Sequence, residues 1–341
     1  MGLTSEEFDH LMARSFEGVF GDARDNAFYD AKAFAVGVSG GPDSMALLWL
    51  LQDWCARHDK VLHVLSVDHC LRQESLKECR SVEVYCAQFD HVFHEILVWD
   101  VPSHERVQEE ARKARYDLMS RYCLRHEIQH LFLAHHCDDQ AETVLFRLAK
   151  GSGLDGLAGM RPLQLWGQVA LCRPVLDVSK DDLLEVCTAN AVPFIEDPSN
   201  KNDAFARVRL RQSMDVLSAE GLSVKRLSVT AKRLMRARDA LDQIAAEIFN
   251  ENLTKKETNR IEFNVVVCRK HAEIVLRVLQ RCFEEIGAER DYAPRMEKLE
   301  DLVLSLKHDI AFRKRTLGGI VFERNDKKQV LILTTEKRNN L

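Results

Sequence analysis

Long apolar runs, paired cysteines and an excess of basic charge are all missing from this sequence of 341 residues. No apolar stretch approaches the roughly 20 residues that a membrane-spanning helix needs, so no contact with a membrane is expected. The polar, acidic start at residues 1–7 argues against a signal peptide. None of the ten cysteines lies in a Cys-x-x-Cys pair. They are interpreted as small core residues of a reduced, cytoplasmic protein, without a structural zinc or iron–sulfur site.

The net charge of −5 conceals a division of charge along the chain. Residues 205–341 contain 28 Lys and Arg against 20 Asp and Glu, a net charge of +8, whereas residues 1–204 carry −13. Phosphate contacts supply most non-specific affinity for a nucleic acid, so the basic part is the expected docking surface for a polyanion. Solvated charged faces are the simpler alternative. The change in sign also indicates a domain boundary near residues 205–220.

A glycine-rich turn is the most informative feature that the sequence does contain. An apolar run at 33–38 is followed by Ser39-Gly40-Gly41-Pro42-Asp43-Ser44 and then directly by a helical pattern. Glycines let the backbone approach a ligand closely, and a helix N-terminus attracts anions. No Lys follows the glycines, so the usual phosphate loop is excluded. The turn predicts a phosphate site, with an ordinary strand–turn–helix corner as the alternative.

Strand and helix patterns alternate over the first 150 residues. Each of four apolar runs, at 33–38, 61–67, 92–98 and 130–134, is followed by a helical pattern. Such crossover units predict a parallel sheet that is covered by helices on both faces. Ligands of these sheets bind beyond the carboxyl ends of the strands, which is where Asp43, Asp68 and His135 fall.

Two acidic residues open the helix that follows the fourth strand. Asp139 and Glu142 are three residues apart, so their carboxylates share one face of the helix. Acids in a first turn commonly complement the helix dipole, and capping is the better explanation of the spacing alone. Their position at the ligand edge of the sheet favours a second role, in binding an ammonium group or Mg²⁺. The neighbouring His135 and His136 are candidate contacts for a nucleotide phosphate or base, since a metal pair would need further His or Cys ligands.

Several arginines are weaker candidates. Arg112 and Arg115 lie on one helix face, and on spacing alone a solvated surface is the preferred explanation. Arg207, Arg209 and Arg211 alternate along the chain, so in a helix they cannot all face one partner.

Five further blocks follow the glycine turn in order, and together they resemble one family. They are Val67-Asp68-His69-Cys70-Leu71-Arg72, the stretch Leu133-Ala134-His135-His136-Cys137-Asp138-Asp139-Gln140-Ala141-Glu142-Thr143-Val144-Leu145, residues 151–160, Arg173-Pro174 and residues 196–200. The turn alone resembles the pyrophosphate loop of the N-type ATP pyrophosphatases. The whole series resembles the tRNA(Ile)-lysidine synthetases of that PP-loop superfamily.

This resemblance implies an α/β fold with a parallel-sheet PP-loop ATP pyrophosphatase domain, related to the adenine nucleotide alpha hydrolases, at residues 1–212. A mainly helical, basic tRNA-binding domain with short terminal strands is expected at residues 213–341. The implied reaction ligates free L-lysine to C2 of the wobble cytidine of an isoleucine tRNA with a CAU anticodon. ATP adenylates the base, and pyrophosphate and AMP are released. A homodimer is left open.

The resemblance also implies roles for individual residues. ATP is expected at Ser39, Gly40, Gly41, Pro42, Asp43 and Ser44, with Mg²⁺ on Asp43. Asp139 and Glu142 are expected to bind lysine. The residues implied in catalysis are Asp43, Arg112, Arg115, His135, Asp139, Glu142 and Arg207. Val208 stands where the family pattern has Asn, so no role is carried over to that position.

Three alternatives remain. A PP-loop tRNA thiolase would need catalytic or cluster-binding cysteines, which commonly occur in Cys-x-x-Cys pairs. An amidotransferase-type synthetase would need an ammonia source and gives no reason for a basic second half. A non-catalytic ATP-dependent RNA-binding protein would bind both ligands without turnover.

Overall fold

The computed structural model divides the chain into two compact units, residues 1–235 and 236–341. It describes residues 3–16, 28–68, 70, 75–99, 107–195, 210, 213–286, 294–309, 312 and 314–336. The division falls inside one long helix. The boundary that separates a catalytic from a tRNA-binding domain at 212/213 stays a prediction. Within the described residues, no helix is long and apolar enough to cross a bilayer.

The first unit is built on a six-stranded sheet. Its strands are β1 (Ala33–Gly37), β2 (Val61–Asp68), β3 (Val92–Val98), β4 (His130–Phe132), β5 (Leu163–Trp166) and β6 (Val169–Cys172). They lie in the order β3-β2-β1-β4-β6-β5, and all neighbours are parallel except the β5–β6 hairpin. The predicted parallel sheet is confirmed, and the antiparallel edge strand β5 is an addition to it.

Helices accompany these strands in the expected alternation. They are α1 (Ser5–Phe16), α2 (Pro42–Arg57), α3 (Ser75–Cys86), α4 (Val107–Arg125), α5 (Cys137–Ala149), the single turn α6 (Leu154–Leu157), α7 (Lys180–Ala189), α8 (Met214–Ala219) and α9 (Val224–Asn252). The last of these runs on into the second unit.

Both faces of the sheet are buried at its centre, which explains why β1, β4 and β6 are continuous apolar runs. Side chains alternate between the two faces of a strand. Accordingly, Phe34 and Val36 belong to one core cluster, whereas the intervening Ala35 belongs to another. In the same way Phe132 packs in the first cluster and Leu131 in the second. Two apolar layers therefore hold the strands in fixed register.

The second unit contains more sheet than the sequence suggested. Five antiparallel strands lie in the order β7-β8-β11-β10-β9. They are β7 (Leu253–Glu257), β8 (Arg260–Asn264), β9 (Lys314–Leu317), β10 (Ile320–Asn325) and β11 (Val330–Thr335), with a 3₁₀ turn at Val265–Arg269 and the helices α10 (Ala272–Ile286) and α11 (Met296–His308). Phe263, Phe322 and Leu331 form one core with Leu279 and Leu302.

The strand order determines where a ligand fits. β1 pairs with β2 on one side and with β4 on the other. The chain thus runs outward in opposite directions from the β1/β4 pair, and such a switch point opens a crevice at the carboxyl ends of the two strands. The segments after β1 and after β4 meet there.

Candidate active site at the β1/β4 switch point

The turn after β1 is held in shape by its own hydroxyls. Ser44 Oγ donates to the carbonyl of Gly41 at 2.9 Å and accepts from the N–H of Ser39 at 3.2 Å. Gly40 has φ +83°, a left-handed conformation that favours glycine. Pro42 begins α2, and its missing N–H removes nothing from a first turn whose amides have no intrahelical acceptor. The result is a preformed backbone cradle at a helix N-terminus.

Three carboxylates surround the imidazole of His136, which lies four residues beyond the end of β4 and directly precedes α5. Its Nε2 lies 3.5 Å from Asp43 Oδ2 and 3.5 Å from Asp139 Oδ2. Its Nδ1 lies 3.4 Å from Asp138 Oδ2. The imidazole thereby connects the turn after β1 with the first turn of α5. His136 is buried, at 2% exposed.

The charge of His136 follows from these neighbours. Burial alone would lower its pKa, but the carboxylates of Asp138, Asp43 and Asp139 together raise the pKa to about 10. The side chain is therefore a cation at neutral pH. A cation at this point allows three acids to share one small volume.

Asp138 has a structural task that the sequence did not reveal. Its Oδ2 accepts the backbone N–H of Lys180 at 3.0 Å, which attaches α7 to the start of α5. Burial raises its pKa, but contacts with His136 and Lys180 outweigh this and lower the pKa to about 2. Asp138 is thus ionised at neutral pH.

Asp139 and Glu142, the two predicted lysine ligands, differ in environment. Asp139 Oδ2 accepts the backbone N–H of His136 at 3.1 Å and so caps α5, as the alternative explanation expected. The same oxygen faces the His136 cation, so capping is only part of its role. Glu142 lies one turn further along and is 6% exposed.

His135 is positioned by a buried arginine that follows β6. Arg173 Nε donates to His135 Nδ1 at 3.3 Å. Burial, together with the positive charges of Arg173, Arg112, Arg115 and His136, holds the pKa of His135 well below its usual range. Two adjacent histidines therefore carry opposite protonation states, His135 neutral and His136 charged.

Arg112 and Arg115 are half-buried on α4 and lie beside the ring of Tyr116. Their guanidinium carbons lie 5.3 and 5.4 Å from the ring centroid of Tyr116, which is buried. Both arginines are close enough to lower the pKa of His135. The Nε of Arg115 is buried and has no hydrogen-bond partner within the described part of the chain. A buried donor of this kind fits an anionic ligand.

The glycine-rich segment 151–160 is attached to α5 through one amide. Gln140 Nε2 donates to the carbonyl of Met160 at 2.9 Å, and its Oε1 accepts the Met160 N–H at 2.7 Å. Gly159, with φ +68°, lies so close that an added Cβ would be 2.5 Å from Gln140 Oε1. Gly159 is required here both by conformation and by space.

The acid groups fit a magnesium ion only when phosphate completes its coordination. Asp43 Oδ1 is buried and has no partner among the described residues. Within those residues no group of three or more His, Cys, Asp or Glu is arranged to hold a metal. Mg²⁺ is commonly bound by one or two carboxylates together with substrate phosphates, which matches a single orphaned carboxylate oxygen beside a phosphate cradle.

The structure brings together Asp43, Arg112, Arg115, His135, Asp139 and the Ser39–Ser44 turn, with Glu142 one helical turn from Asp139. Arg207 lies outside the described residues. Sequence analysis missed the roles of His136, Asp138, Gln140 and Arg173. All four lie in the quoted blocks, so a signal was present, but their partners are residues distant in sequence.

Comparisons with known proteins agree with this fold. A family described as the PP-loop domain matches residues 9–217. The tRNA(Ile)-lysidine synthase of Ruegeria pomeroyi is 35% identical over 295 residues, which cover 84% of this chain and 68% of that protein. That of Rhodopseudomonas palustris is 36% identical over 327 residues, covering 91% and 93%. That of Bradyrhizobium sp. is 35% identical over 346 residues, covering 96% and 92%.

One similar solved structure is the U34-tRNA thiolase NcsA from Methanococcus maripaludis with its 4Fe–4S cluster. It superposes with a TM-score of 0.54 over 68% of this chain and 80% of that chain. The sequences are 17% identical, so the likeness establishes the fold alone.

Proposed function

The chain belongs to the tRNA(Ile)-lysidine synthase family, and on that basis we propose that it ligates free L-lysine to C2 of the wobble cytidine of an isoleucine tRNA with a CAU anticodon. ATP is the energy source, as in other PP-loop proteins. The tRNA substrate and the ten free cysteines, nine of them buried, support a cytoplasmic location.

The contact of Asp43 with His136 carries the proposal. It links the phosphate turn to the helix whose first turns hold Asp139 and Glu142. A ligase of this kind must present the cytosine to ATP in one half-reaction and the activated cytosine to an amine in the next. A nucleotide site and an ammonium site that share one imidazole support that sequence of events.

In the first half-reaction, the O2 atom of cytosine attacks the α-phosphorus of ATP. An oxygen–phosphorus bond forms, the bond to the β-phosphate breaks, and pyrophosphate leaves. The turn Ser39–Ser44 holds the pyrophosphate through backbone N–H groups at the N-terminus of α2. Arg112 and Arg115 stabilise the charge that develops on the phosphates. Asp43 would hold Mg²⁺, which when bound neutralises phosphate charge.

In the second half-reaction, the ε-amine of lysine replaces AMP at C2. The amine must lose a proton before it is a nucleophile. Asp139 and Glu142 bind and orient the lysine by charge-assisted hydrogen bonds to its ammonium groups. His136 stays protonated and limits repulsion among Asp43, Asp138 and Asp139.

One face of α9 suits the phosphate backbone of tRNA. At 100° per residue, Lys225, Arg226, Lys232 and Arg233 fall within about 120° of the helix circumference, and all four are exposed. Leu227 and Ala231 on the opposite side are buried against α5. We call the four cations the basic stripe. It supplies the docking surface that the charge division in the sequence predicted.

Cys137, at the start of α5, does not suit the sulfur transfer of a thiolase. Sulfur transfer needs a reactive thiolate. Cys137, beside the site, is buried, and burial raises its pKa to about 12, so the thiol remains protonated.

The test is an incubation of the full chain with ATP, lysine and tRNA. We expect AMP release that depends on both lysine and an isoleucine tRNA with CAU, and a nucleoside whose mass equals cytidine plus lysine less water. The same tRNA with U at the wobble position is the matched control. AMP release in the absence of lysine, AMP release in the absence of the tRNA, or sulfur in the product would overturn the proposal.

A further inference from the structure

Arg173 is a buried cation without a carboxylate among its hydrogen-bond partners here. It is 3% exposed and follows β6 directly. Besides the contact with His135, its Nη1 donates to the carbonyl of Arg161 at 2.8 Å and its Nη2 to Gln164 Oε1 at 3.3 Å. A buried guanidinium of this kind is costly, since desolvation disfavours the charge. Its retention calls for a functional reason.

The chemistry of arginine fixes the tautomer of His135. A guanidinium only donates hydrogen bonds, so the imidazole nitrogen that it meets must be the acceptor. That nitrogen is Nδ1, which is therefore unprotonated. A neutral imidazole with a bare Nδ1 carries its proton on Nε2. His135 thus presents one N–H group at the carboxyl end of β4.

The charged groups that act most strongly on His135 all disfavour a second proton. Arg112 and Arg115 act from α4, Arg173 from the end of β6, and His136 from the start of α5. The three arginines are cations, and His136 is protonated because its neighbours raise its pKa. Loss of the Nε2 proton would need an anionic imidazole or the release of Nδ1 from Arg173. His135 is consequently poor both as an acid and as a base.

Arg173 also ties His135 to the glycine-rich segment. Arg173 donates to the carbonyl of Arg161, and Gln140 donates to the carbonyl of the preceding residue, Met160. A continuous chain of hydrogen bonds therefore runs from α5 through the segment to His135.

We propose that Arg173 is a positioning residue that keeps His135 as a neutral Nε2–H donor, and that His135 donates to an oxygen that gains negative charge during adenylation instead of acting as a general base. This inference rests on the proposed function for the identity of the reaction only. The tautomer itself is a property of the chain.

The first measurement is therefore made without turnover. The full chain is labelled with ¹⁵N-histidine, and the ring signals of His135 are identified by their loss in His135→Gln. We expect Nδ1 to be unprotonated and Nε2 protonated from pH 6 to 8. In Arg173→Met, the pKa of His135 should rise toward its usual value but stay below it, since Arg112, Arg115 and His136 remain.

The second measurement is pyrophosphate release from ATP and tRNA without lysine. His135→Gln keeps an N–H donor at the reach of Nε2 but cannot act as a base, whereas His135→Ala supplies neither a donor nor a base. We expect His135→Gln to be faster than His135→Ala by roughly tenfold or more, the scale of one hydrogen bond to a charged group. Arg173→Met should be slow and gain an acidic limb in its pH profile.

Arg277→Met is the matched control. Arg277 is also buried, in the second unit, and bonds to Asp242 and Glu273. It should lose stability and leave the His135 signals unchanged. A protonated Nδ1 in the wild-type chain overturns the inference even if Arg173→Met fails to fold. Equal rates for His135→Gln and His135→Ala overturn the donor role. A wild-type chain that shows the tautomer but no tRNA-dependent turnover would count against the proposed function alone.

Discussion

Asp43 Oδ2 lies 3.5 Å from Nε2 of His136, across the switch point between β1 and β4. One residue belongs to the first turn of α2 and the other precedes α5, so this contact fixes the distance between two helix N-termini. Both helix dipoles point their positive ends at the same crevice. The pair therefore sets the geometry in which a nucleotide and a lysine would meet.

Replacing Asp43 with Ala should abolish nucleotide chemistry while leaving the fold intact. The variant loses the orphaned carboxylate oxygen that fits Mg²⁺. We expect AMP formation to fall by roughly 100-fold or more, the scale for removing a group that stabilises transition-state charge. Asp53→Ala, on the same helix but in a surface ion pair with Arg57, is the control. Normal turnover by Asp43→Ala with an unchanged circular dichroism spectrum would exclude the proposed role of the turn.

Neutralising Asp139 or Glu142 should separate the two half-reactions. Asp139→Asn keeps an oxygen that can accept the N–H of His136, so the cap survives while the charge is lost. We expect lysine incorporation by Asp139→Asn or Glu142→Gln to fall roughly 10- to 100-fold, with pyrophosphate release without lysine less affected. Asp182→Asn, which alters a first-turn acid of α7, controls for capping. Equal losses in both half-reactions would show that the two residues act only as structural caps.

A methyl group at Gly159 should disrupt the attachment of the glycine-rich segment. The added Cβ would meet Gln140 Oε1 at 2.5 Å, in a backbone conformation that itself costs about 1–2 kcal/mol for a residue other than glycine. Gly167 also has positive φ but no atom within 4 Å of an added Cβ. Gly159→Ala should therefore destabilise the chain more than Gly167→Ala in urea unfolding, and it alone should slow adenylation. Equal unfolding midpoints would contradict the clash.

Stability should decrease in mild acid because of His130. Burial lowers the pKa of this side chain from 6.5 to about 4. Below pH 6.5 the unfolded chain binds a proton at His130, whereas the folded chain binds it only near pH 4. The contribution of neutral His130 to the free energy of unfolding is therefore fully present above pH 6.5 and is lost as the pH falls toward 4. The loss amounts to at most about 3 kcal/mol. Urea midpoints at pH 7 and pH 5 should differ more for the wild-type chain than for His130→Gln. Equal pH dependence would assign the effect to other groups.

Binding of tRNA should depend on salt through the basic stripe. Each phosphate contact releases counterions, so the logarithm of affinity falls linearly with the logarithm of salt concentration. Replacing Lys225 and Arg233 with Gln should weaken binding and reduce the slope by roughly 1.5 to 2. Arg121 and Arg125, exposed at the other end of α4 from Arg112, provide a charge-matched control pair. An unchanged salt dependence in the variant of the basic stripe would show that tRNA binds at another surface.

The sheet of the first unit was predictable because its signals are local. Each parallel strand is an apolar run that ends at a polar turn, and the crossover helices have the required length. The edge strand β5 was missed because Leu163–Trp166 is short and is defined by its pairing with β6. The five-stranded sheet of the second unit was underestimated for a similar reason, since β7 contains two lysines and is mostly exposed.

The candidate site was predictable where chemistry follows from a motif and unpredictable where it follows from a contact. Asp43, Asp139 and the turn could be chosen from the order of residues. The different protonation states of His135 and His136 could not, because they depend on Arg173 and on three carboxylates that the fold assembles. The contacts of Arg112 and Arg115 with Tyr116 could not be predicted either, because the spacing of the two arginines says nothing about that ring.

The burial of Leu227 and Ala231 against Val144 and Leu145 limits where the chain can be truncated. A fragment that ends at the change in charge near residue 205 would leave the apolar flank of α5 open to water. The smallest fragment that keeps this flank covered must include the first two turns of α9. A fragment that ends after Ala231 keeps this flank covered and retains Lys225 and Arg226, two of the four cations of the basic stripe.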